Sequence, residues 1–361
     1  MNFYQAMQLG ANNLKPVIKK TEDKKVKQKY ITAFILKNIL CLIFCIFTAT
    51  FFGKVFGSEN SIVGVVTVIA LLTFRLSYLD FETKQSAFTI LGIFCILAVG
   101  PYLASISTPV LGFVINFISI ITIVVLGCYN VNLSNQSIFV LGYLLLFGNP
   151  ASNYSANINR ILALLLGGII VATIFYIKQR NTKFKNTFSD VIKGFNFSND
   201  RTKWQIKLTF AICSAMLIGQ LIGLPKVMWI GFACMSILQP TQEKIDFRLR
   251  TRFPYMIVGC IMYFIIYLVM PNQYANLIGM LGGIMVGFSG TYEWQTVFNC
   301  FGALSSAVPV LGLGGAIILR ILNNGIGAIY SKVFNYIFDK VDEKITTKHK
   351  AKEINNEVKA N

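Results

Sequence analysis

The sequence predicts an all-α polytopic membrane protein with about twelve transmembrane helices, arranged as two parallel six-helix repeats. Three observations support this prediction: an apolar composition, apolar runs of membrane-spanning length, and an internal repeat. Hydrophobic residues make up 55% of the 361 residues and charged residues only 13%, whereas about 25% of the residues of a soluble domain are charged. A water-soluble fold of this size could not bury so much apolar surface.

Apolar runs without acidic side chains recur along the chain at the length of a membrane span, which is roughly 20 residues for about 30 Å of hydrocarbon. Helices are favoured over the strands of a barrel because the runs are continuously apolar, whereas barrel strands alternate polar with apolar side chains. The short runs also allow a count of ten or eleven. We place the spans at about 31–52, 61–79, 86–107, 109–127, 135–149, 159–178, 205–223, 226–240, 254–271, 274–290, 294–311 and 315–338.

The formal net charge of +18 is unevenly distributed. Most Lys and Arg residues fall in segments that twelve spans would place on one side: 1–30, 178–203, 244–252 and 339–361. This positive-inside asymmetry predicts an inner (cytoplasmic) membrane protein with both termini in the cytoplasm and with membrane lipids as partners of its basic segments. Nucleic acid is not expected as a partner, because the basic segments lack interleaved aromatic side chains.

An internal repeat divides the chain. Arg160-Ile161-Leu162 recurs 160 residues later as Arg320-Ile321-Leu322. Further identities at the same spacing are Gly167 and Gly327, Ile169 and Ile329, Tyr176 and Tyr336, and Ile177 and Ile337. Because six spans is an even number, both repeats enter the membrane in the same orientation, and we expect a translocation path between them. The predicted segments are a basic N-terminal segment (1–30), repeat 1 (31–178), a basic linker (179–203), repeat 2 (204–338) and a charged tail (339–361).

Metal, cofactor and enzyme chemistry are not indicated. The single histidine, His349, lies in the tail, and the eight cysteines form no CxxC pair. No carboxylate lies deep in a predicted span. His-based metal binding and Ser-His catalysis within the membrane are therefore excluded.

Arg320 is the first candidate for binding a substrate, because it should lie within the hydrocarbon or just below its outer interface. A guanidinium there costs about 3 kcal/mol on insertion scales unless it meets water, an anion or a carbonyl. Asn323 and Asn324 follow at helical spacing and extend a polar stripe. Arg160 is the repeat equivalent of Arg320, although its side chain could instead snorkel to the interface. Trp229 is a candidate for stacking a planar substrate, with interfacial anchoring as the alternative.

A charged connector follows the second span of each repeat and is a candidate gating element. The connectors contain Asp80 and Glu82 in the first repeat, and Glu243, Asp246, Arg248, Arg250 and Arg252 in the second. Acidic and basic side chains at helical spacing can exchange partners, but such segments are more often solvated faces.

The second connector and the span before it also carry a family resemblance. The stretch Trp229-Ile-Gly-Phe-Ala-Cys-Met-Ser-Ile-Leu-Gln239-Pro240, followed by the connector arginines and Gly259, resembles the fusaric-acid-resistance (FUSC-like) and aromatic-acid-exporter superfamily. The resemblance implies two six-helix units forming one transport domain, export of small aromatic or other weak acids, and often a periplasmic adaptor protein. The chain departs from larger members in having no soluble cytoplasmic domain after its sixth span.

These observations favour an exporter of small organic anions, such as aromatic or other weak carboxylic acids, with its path between the repeats. The alternatives are a non-transporting scaffold or partner subunit of an envelope complex, and a lipid or polyprenyl-phosphate carrier. A homo-oligomer is compatible with the sequence. Substrate, coupling ion and direction of transport are not specified by these patterns.

Overall fold

The computed structural model describes residues 1–275 and 277–360, apart from the side chains of residues 272 and 346–360. Within those residues the regular structure is entirely helical. Single turns of 3-10 helix lie at Ser58–Asn60, Val131–Leu133 and Asn272–Tyr274. The α-helices are α1 (Phe3–Gln8), α2 (Ala11–Lys20), α3 (Lys24–Phe56), α4 (Ser61–Phe74), α5 (Thr83–Ile106), α6 (Pro109–Gly127), α7 (Gln136–Phe147), α8 (Tyr154–Gln179), α9 (Phe188–Lys193), α10 (Asp200–Leu221), α11 (Met228–Ile237), α12 (Gln242–Val269), α13 (Leu277–Phe288) and α14 (Tyr292–Ala360).

Seven helices of the described chain are long and apolar enough to cross a membrane: α3, α5, α6, α8, α10, α12 and α14 up to residue 345. Four shorter apolar helices, α4, α7, α11 and α13, lie between them in the chain. The protein is therefore an all-helical, multi-pass membrane protein, as the composition predicts. Each predicted span overlaps one of these helices, but the count of twelve crossing helices and the two repeats stay predictions.

Helix α14 is interrupted at Gly312, where the backbone adopts φ 68° and ψ 166°. A positive φ is readily accessible to glycine because it has no Cβ. The interruption separates residues 292–311 from residues 313–360 and coincides with the boundary predicted between the last two spans.

One set of loops meets on the side of the bundle where most basic residues lie, which we call the basic face. The Asp80 carboxylate accepts a hydrogen bond from Asn130 Nδ2 at 3.2 Å, and the Asp80 carbonyl accepts one from Asn186 Nδ2 at 3.0 Å. The Arg201 guanidinium lies 4.2 Å from the centre of the Tyr129 ring. These contacts join the loop 75–82 to the loop 128–135 and to the linker between α8 and α10, and the loop 128–135 to the first turn of α10.

A second set of loops meets at the other end of the helices, which we call the opposite face. The Ser152 side chain and backbone N–H donate to the two Glu59 carboxylate oxygens at 2.5 and 3.0 Å. Because Ser152 hydrogen-bonds the charged form, the pKa of Glu59 is lowered from its usual range. The loops 57–60, 148–153 and 222–227 together form this face.

The apolar core contains two large clusters. The first surrounds Phe74, Phe94 and Tyr143 and continues into α10 and α11. The second surrounds Trp229, Tyr263 and adjoining parts of α12 to α14. Helix α3 lies at the periphery and exposes large apolar side chains along its length, as expected of a helix that faces lipid.

Candidate functional site

A cavity of about 860 Å³ lies between helices of the two halves of the chain. Helices α3, α4 and α7 line one side, and α11 to α14 line the other. It extends from Ser134 and Gln239, at the basic face, to Asn149 and Met228, near the opposite face. Its volume is within the range of small-molecule binding sites, roughly 300–1,000 Å³.

Three arginines line this cavity, and the described lining contains no aspartate or glutamate. They are Arg248, Arg252 and Arg320. An arginine remains protonated at any physiological pH. The cavity therefore carries an uncompensated positive charge.

Helical periodicity separates the three connector arginines. Arg248 and Arg252 are four residues apart in the first turns of α12, which places their side chains on one face about 6 Å apart along the axis. Arg250 lies between them in sequence and lines a separate groove together with Asp246 and Lys332. Only two of the three connector arginines therefore face the cavity.

The basic-face end of the cavity is organised by Tyr292. The Arg248 guanidinium lies 4.6 Å from the centre of the Tyr292 ring, and its Nη1 donates to the Ser236 carbonyl at 2.7 Å. Arg252 Nη1 donates to Tyr292 Oη at 3.3 Å, and the Tyr292 hydroxyl is 2.6 Å from Ser236 Oγ. Residues from α11, α12 and α14 thus hold two of the arginines at defined positions.

Asn324 connects this group to the third arginine. Its side-chain oxygen accepts a hydrogen bond from Arg252 Nη2 at 3.3 Å, and its nitrogen donates to the Arg320 carbonyl at 2.9 Å. The Arg320 guanidinium lies 5.1 Å from the centre of the Trp229 ring, a cation–π arrangement. The result is a row of cations that runs from Arg248 through Arg252 to Arg320.

Several buried donors in this row have no acceptor. They are Arg252 Nε, Arg320 Nε, Arg320 Nη1 and Trp229 Nε1. Leaving a buried polar group unpaired costs about 1–3 kcal/mol, and more for a charged group. The arrangement is therefore suited to a ligand that brings negatively charged acceptor atoms.

The predicted polar stripe of α14 faces the protein interior, but its members have different partners. Arg320 and Asn324 line the cavity. Asn323 is completely buried and donates to the carbonyls of Pro225 and Lys226 at 2.9 and 3.1 Å. Asn323 therefore holds the loop between α10 and α11 rather than lining the cavity.

Arg160, the other arginine considered as a substrate-binding candidate, is not among the residues that line the cavity. Its Nε donates to Asn60 Oδ1 at 2.9 Å, its Nη1 to the Asn149 carbonyl at 2.6 Å, and its Nη2 to the Glu59 carbonyl at 3.2 Å. The side chain is only 4% exposed, so it does not snorkel to the surface either. Loops of the opposite face supply acceptors to all three nitrogens of the Arg160 guanidinium group. Arg320 has no such acceptors for its Nε and Nη1.

The acidic connector residues lie outside the cavity lining. Asp80 is bonded within the basic face, and Glu82 immediately precedes α5. Glu243 and Asp246 are on the exposed first turns of α12, where Asp246 accepts a hydrogen bond from Gln242. A gating exchange of partners in the connectors stays a prediction.

Sequence patterns did not identify Tyr292 and Ser236, which position the arginines. The hydroxyl contacts depend on helices that are far apart in the chain, so no local spacing reveals them. Among the described residues, no group of three or more His, Cys, Asp or Glu side chains is placed to hold a metal ion. The side chain of His349 lies outside the described residues.

The comparison with known protein families gives a match in the second half of the chain. The family model described as fusaric acid resistance protein-like matches residues 213–334. This part of the chain is similar to that family. The match confirms the resemblance predicted from Trp229–Pro240 and the connector arginines, and it contains every arginine of the cavity. Neither a curated protein nor a solved structure matches the chain.

The matched region begins in α10 and ends within α14. It therefore includes the whole α11–α14 side of the cavity but not the α3, α4 and α7 side.

Proposed function

We propose that the protein transports small organic anions across the membrane and binds them in the arginine-lined cavity. One observation carries this proposal: three arginines and several unpaired donors surround a space whose described lining has no carboxylate. A cavity of this kind favours an anion strongly over a cation or a neutral molecule, because charge interactions are strong where water is scarce.

The remaining lining suits an anion with a compact apolar body. Trp229, Phe232 and Tyr292 provide aromatic surface, and Leu145 and Met235 provide aliphatic surface. A carboxylate can receive hydrogen bonds from two donors of one guanidinium. Aromatic and other weak carboxylic acids, the substrate class implied by the family resemblance, have this combination.

The two parallel six-helix repeats belong to the same proposal, with the segment boundaries predicted from the sequence. The repeat-equivalent residues Gly167 and Gly327 support it. An added Cβ at Gly167 would overlap the Thr67 side chain on α4, and one at Gly327 would lie 2.6 Å from Ala233 Cβ on α11. Each glycine thus allows the last helix of its half to approach the short second helix of the same half.

Orientation and direction are also proposed. Under the positive-inside rule, the basic face and both termini would lie in the cytoplasm. The membrane would be an inner membrane of the bacterial type. The membrane potential then favours exit of an anion by about 2.3 kcal/mol per charge per 100 mV, so export does not require ion coupling. A periplasmic adaptor and a homo-oligomer rest on the family resemblance and the sequence alone.

The decisive test is the Arg320→Gln substitution in proteoliposomes. Flux of malate and of benzenesulfonate, which stays ionised and does not cross as a neutral acid, should fall at least about ten-fold, equivalent to about 1.4 kcal/mol. Arg250→Gln is the matched control, because it removes an arginine that faces away from the cavity. Unchanged flux in Arg320→Gln across a panel of carboxylates, with normal folding, would exclude this role.

A second candidate is a lipid or polyprenyl-phosphate carrier. The observation that favours it is the α3 wall of the cavity, where Leu42, Cys45 and Ile46 lie on a helix that is otherwise exposed to lipid. An anionic lipid could then place its headgroup at the arginines and its chains beside α3. Competition between a short-chain polyprenyl phosphate and malate for flux, with the lipid as the tighter ligand, would support this candidate.

A further inference from the structure

Two loops contact each other at the end of the cavity near the opposite face. Lys226 Nζ, from the loop between α10 and α11, donates to the Gly148 carbonyl and to Asn149 Oδ1, both at 3.4 Å. Asn149 Nδ2 is 3.9 Å from Met228 Sδ. Because Asn149 and Met228 both line the cavity, this contact lies at the end of the cavity.

Gly148 makes the contact between the loops tight. A Cβ added at this glycine would lie 2.6 Å from Met228 Cγ and 2.9 Å from Met228 Cβ. A larger residue would therefore push the two loops apart. The methionine side chain fills the space that the missing Cβ leaves.

Each loop is held by the last helix of its own half of the chain. Arg160, on α8, donates to the Asn149 carbonyl at 2.6 Å. Asn323, on α14, donates to the carbonyls of Pro225 and Lys226. Arg160 and Asn323 were candidates for binding a substrate but do not line the cavity. Each instead holds one of the two loops in place.

The contact between the loops is weaker than the bonds that hold each loop. The two Lys226 bonds are longer than the usual 2.7–3.2 Å range of N–H···O bonds, and their acceptors are neutral. Burial lowers the pKa of the Lys226 ammonium, which contacts no carboxylate among the described residues. Its backbone also has φ 54°, an uncommon conformation for a residue with a side chain.

Lys226 is also connected to the row of arginines. Its carbonyl accepts a hydrogen bond from the Trp229 backbone N–H at 2.9 Å, and the Trp229 ring lies beneath the Arg320 guanidinium. The loop that carries Lys226 is therefore bonded to the residue whose ring lies beneath Arg320. A charged acceptor forms a stronger bond to an ammonium than a neutral acceptor does.

We propose that Lys226, Met228 and Gly148–Asn149 form the gate at this end of the cavity, and that a departing anion opens it by becoming the acceptor of Lys226 Nζ. Arg160 and Asn323 are positioning residues that hold the two sides of the gate. The inference rests on the proposed function, since it assigns a step of the same transport path.

The double variant Gly148→Cys, Met228→Cys tests the gate. With the methionine removed, the two Cβ atoms would be 2.9 Å apart, close to the roughly 3.5–4.5 Å that a disulfide needs, so a small loop shift allows the bond. Oxidation should abolish benzenesulfonate flux in proteoliposomes, and a reductant should restore it. Each single cysteine variant should show the same flux under oxidation as it shows under reduction, whatever its level relative to the wild-type protein. Flux that continues after mass spectrometry shows complete cross-linking would overturn the gate.

A second measurement covers the case in which the double variant does not fold. In the Met228→Cys background, a membrane-impermeant maleimide should label the new cysteine several-fold faster when Arg160→Gln is added, because the Asn149 loop loses its anchor. Arg160→Lys should restore part of the protection, and Arg250→Gln should leave the labelling rate unchanged. Equal labelling rates in the Arg160→Gln and Arg250→Gln variants would contradict the positioning role.

The two proposals fail in different ways. Absence of anion flux in the wild-type protein contradicts the proposed function. Normal wild-type flux that survives the cross-link contradicts only the gate, and the maleimide measurement needs no transport at all.

Discussion

Arg160 and Arg320 occupy equivalent positions in the sequence repeat but have opposite hydrogen-bonding environments. Arg160 is satisfied by Asn60, Asn149 and Glu59, whereas Arg320 faces the Trp229 ring and leaves two of its nitrogens unpaired. A satisfied guanidinium stabilises the loops that bond it. An unsatisfied one is available to a ligand, so the two arginines differ in what their surroundings allow them to bind.

Trp229→Phe isolates one donor at this site. The change keeps an aromatic ring beneath Arg320 and removes the unpaired indole N–H, so the KM for benzenesulfonate flux should rise about three- to ten-fold, in keeping with one lost hydrogen bond of about 1 kcal/mol. Trp294→Phe is the control, because Trp294 is half exposed and stacks on Phe298 outside the cavity lining. Equal effects of the two substitutions would show that the indole nitrogen of Trp229 is not part of the site.

Arg320 and Trp229, which line the cavity, could be selected as candidates from the sequence because a charged or amphipathic side chain within an apolar run stands out. The sequence could not identify the hydrogen-bond partners of Arg160, because its acceptor Asn60 lies 100 residues away in the chain. The division between Arg250 and its two neighbours follows from helical periodicity, but only once residues 242–252 are known to be helical.

At the scale of elements, hydropathy predicted where helices occur better than where they begin. The span predicted at 254–271 is the apolar part of α12, which already starts at Gln242. The charged first turns are invisible to a search for apolar runs, yet they present Arg248 and Arg252 to the cavity. The break in α14 was predictable, because glycine-rich sequence around Gly312 separates two apolar runs.

Gly327→Ala tests the close approach of α14 to α11. The added Cβ would lie 2.6 Å from Ala233 Cβ and 2.8 Å from the Ile230 carbonyl oxygen, and such overpacking typically costs about 1–3 kcal/mol. The thermal unfolding midpoint in detergent should therefore fall by several degrees. Gly314→Ala on the same helix meets nothing within 4 Å and should not lower it. Equal midpoints for both variants would contradict the packing described for this helix pair.

At the scale of the whole molecule, the loops separate into two faces with different charge. This separation was predictable from the positions of Lys and Arg. The contacts between the loops were not, since Ser152 and Glu59, or Asp80 and Asn186, come together only when all the helices have packed.

Cysteine labelling in intact cells tests the orientation of the two faces. Tyr154→Cys lies at the opposite face and Phe197→Cys in the linker of the basic face, and the native side chains are 73% and 71% exposed. An impermeant maleimide should label the first variant in intact cells and the second only after permeabilisation. The reverse pattern would invert the proposed topology. The native cysteines lie in or beside apolar helices, so their background should be low.

The side chains that line the cavity also determine how pH can affect the binding of a ligand. Its described lining has neither histidine nor carboxylate, and arginine, tyrosine and cysteine ordinarily titrate above about pH 8. The described lining therefore has no side chain that ordinarily titrates between mildly acidic and neutral pH. Under the proposed function, a weak acid would bind only as its conjugate base, so the cargo itself would be the component that titrates. The cavity would then select the ionised form, and a neutral acid would cross the bilayer by another route.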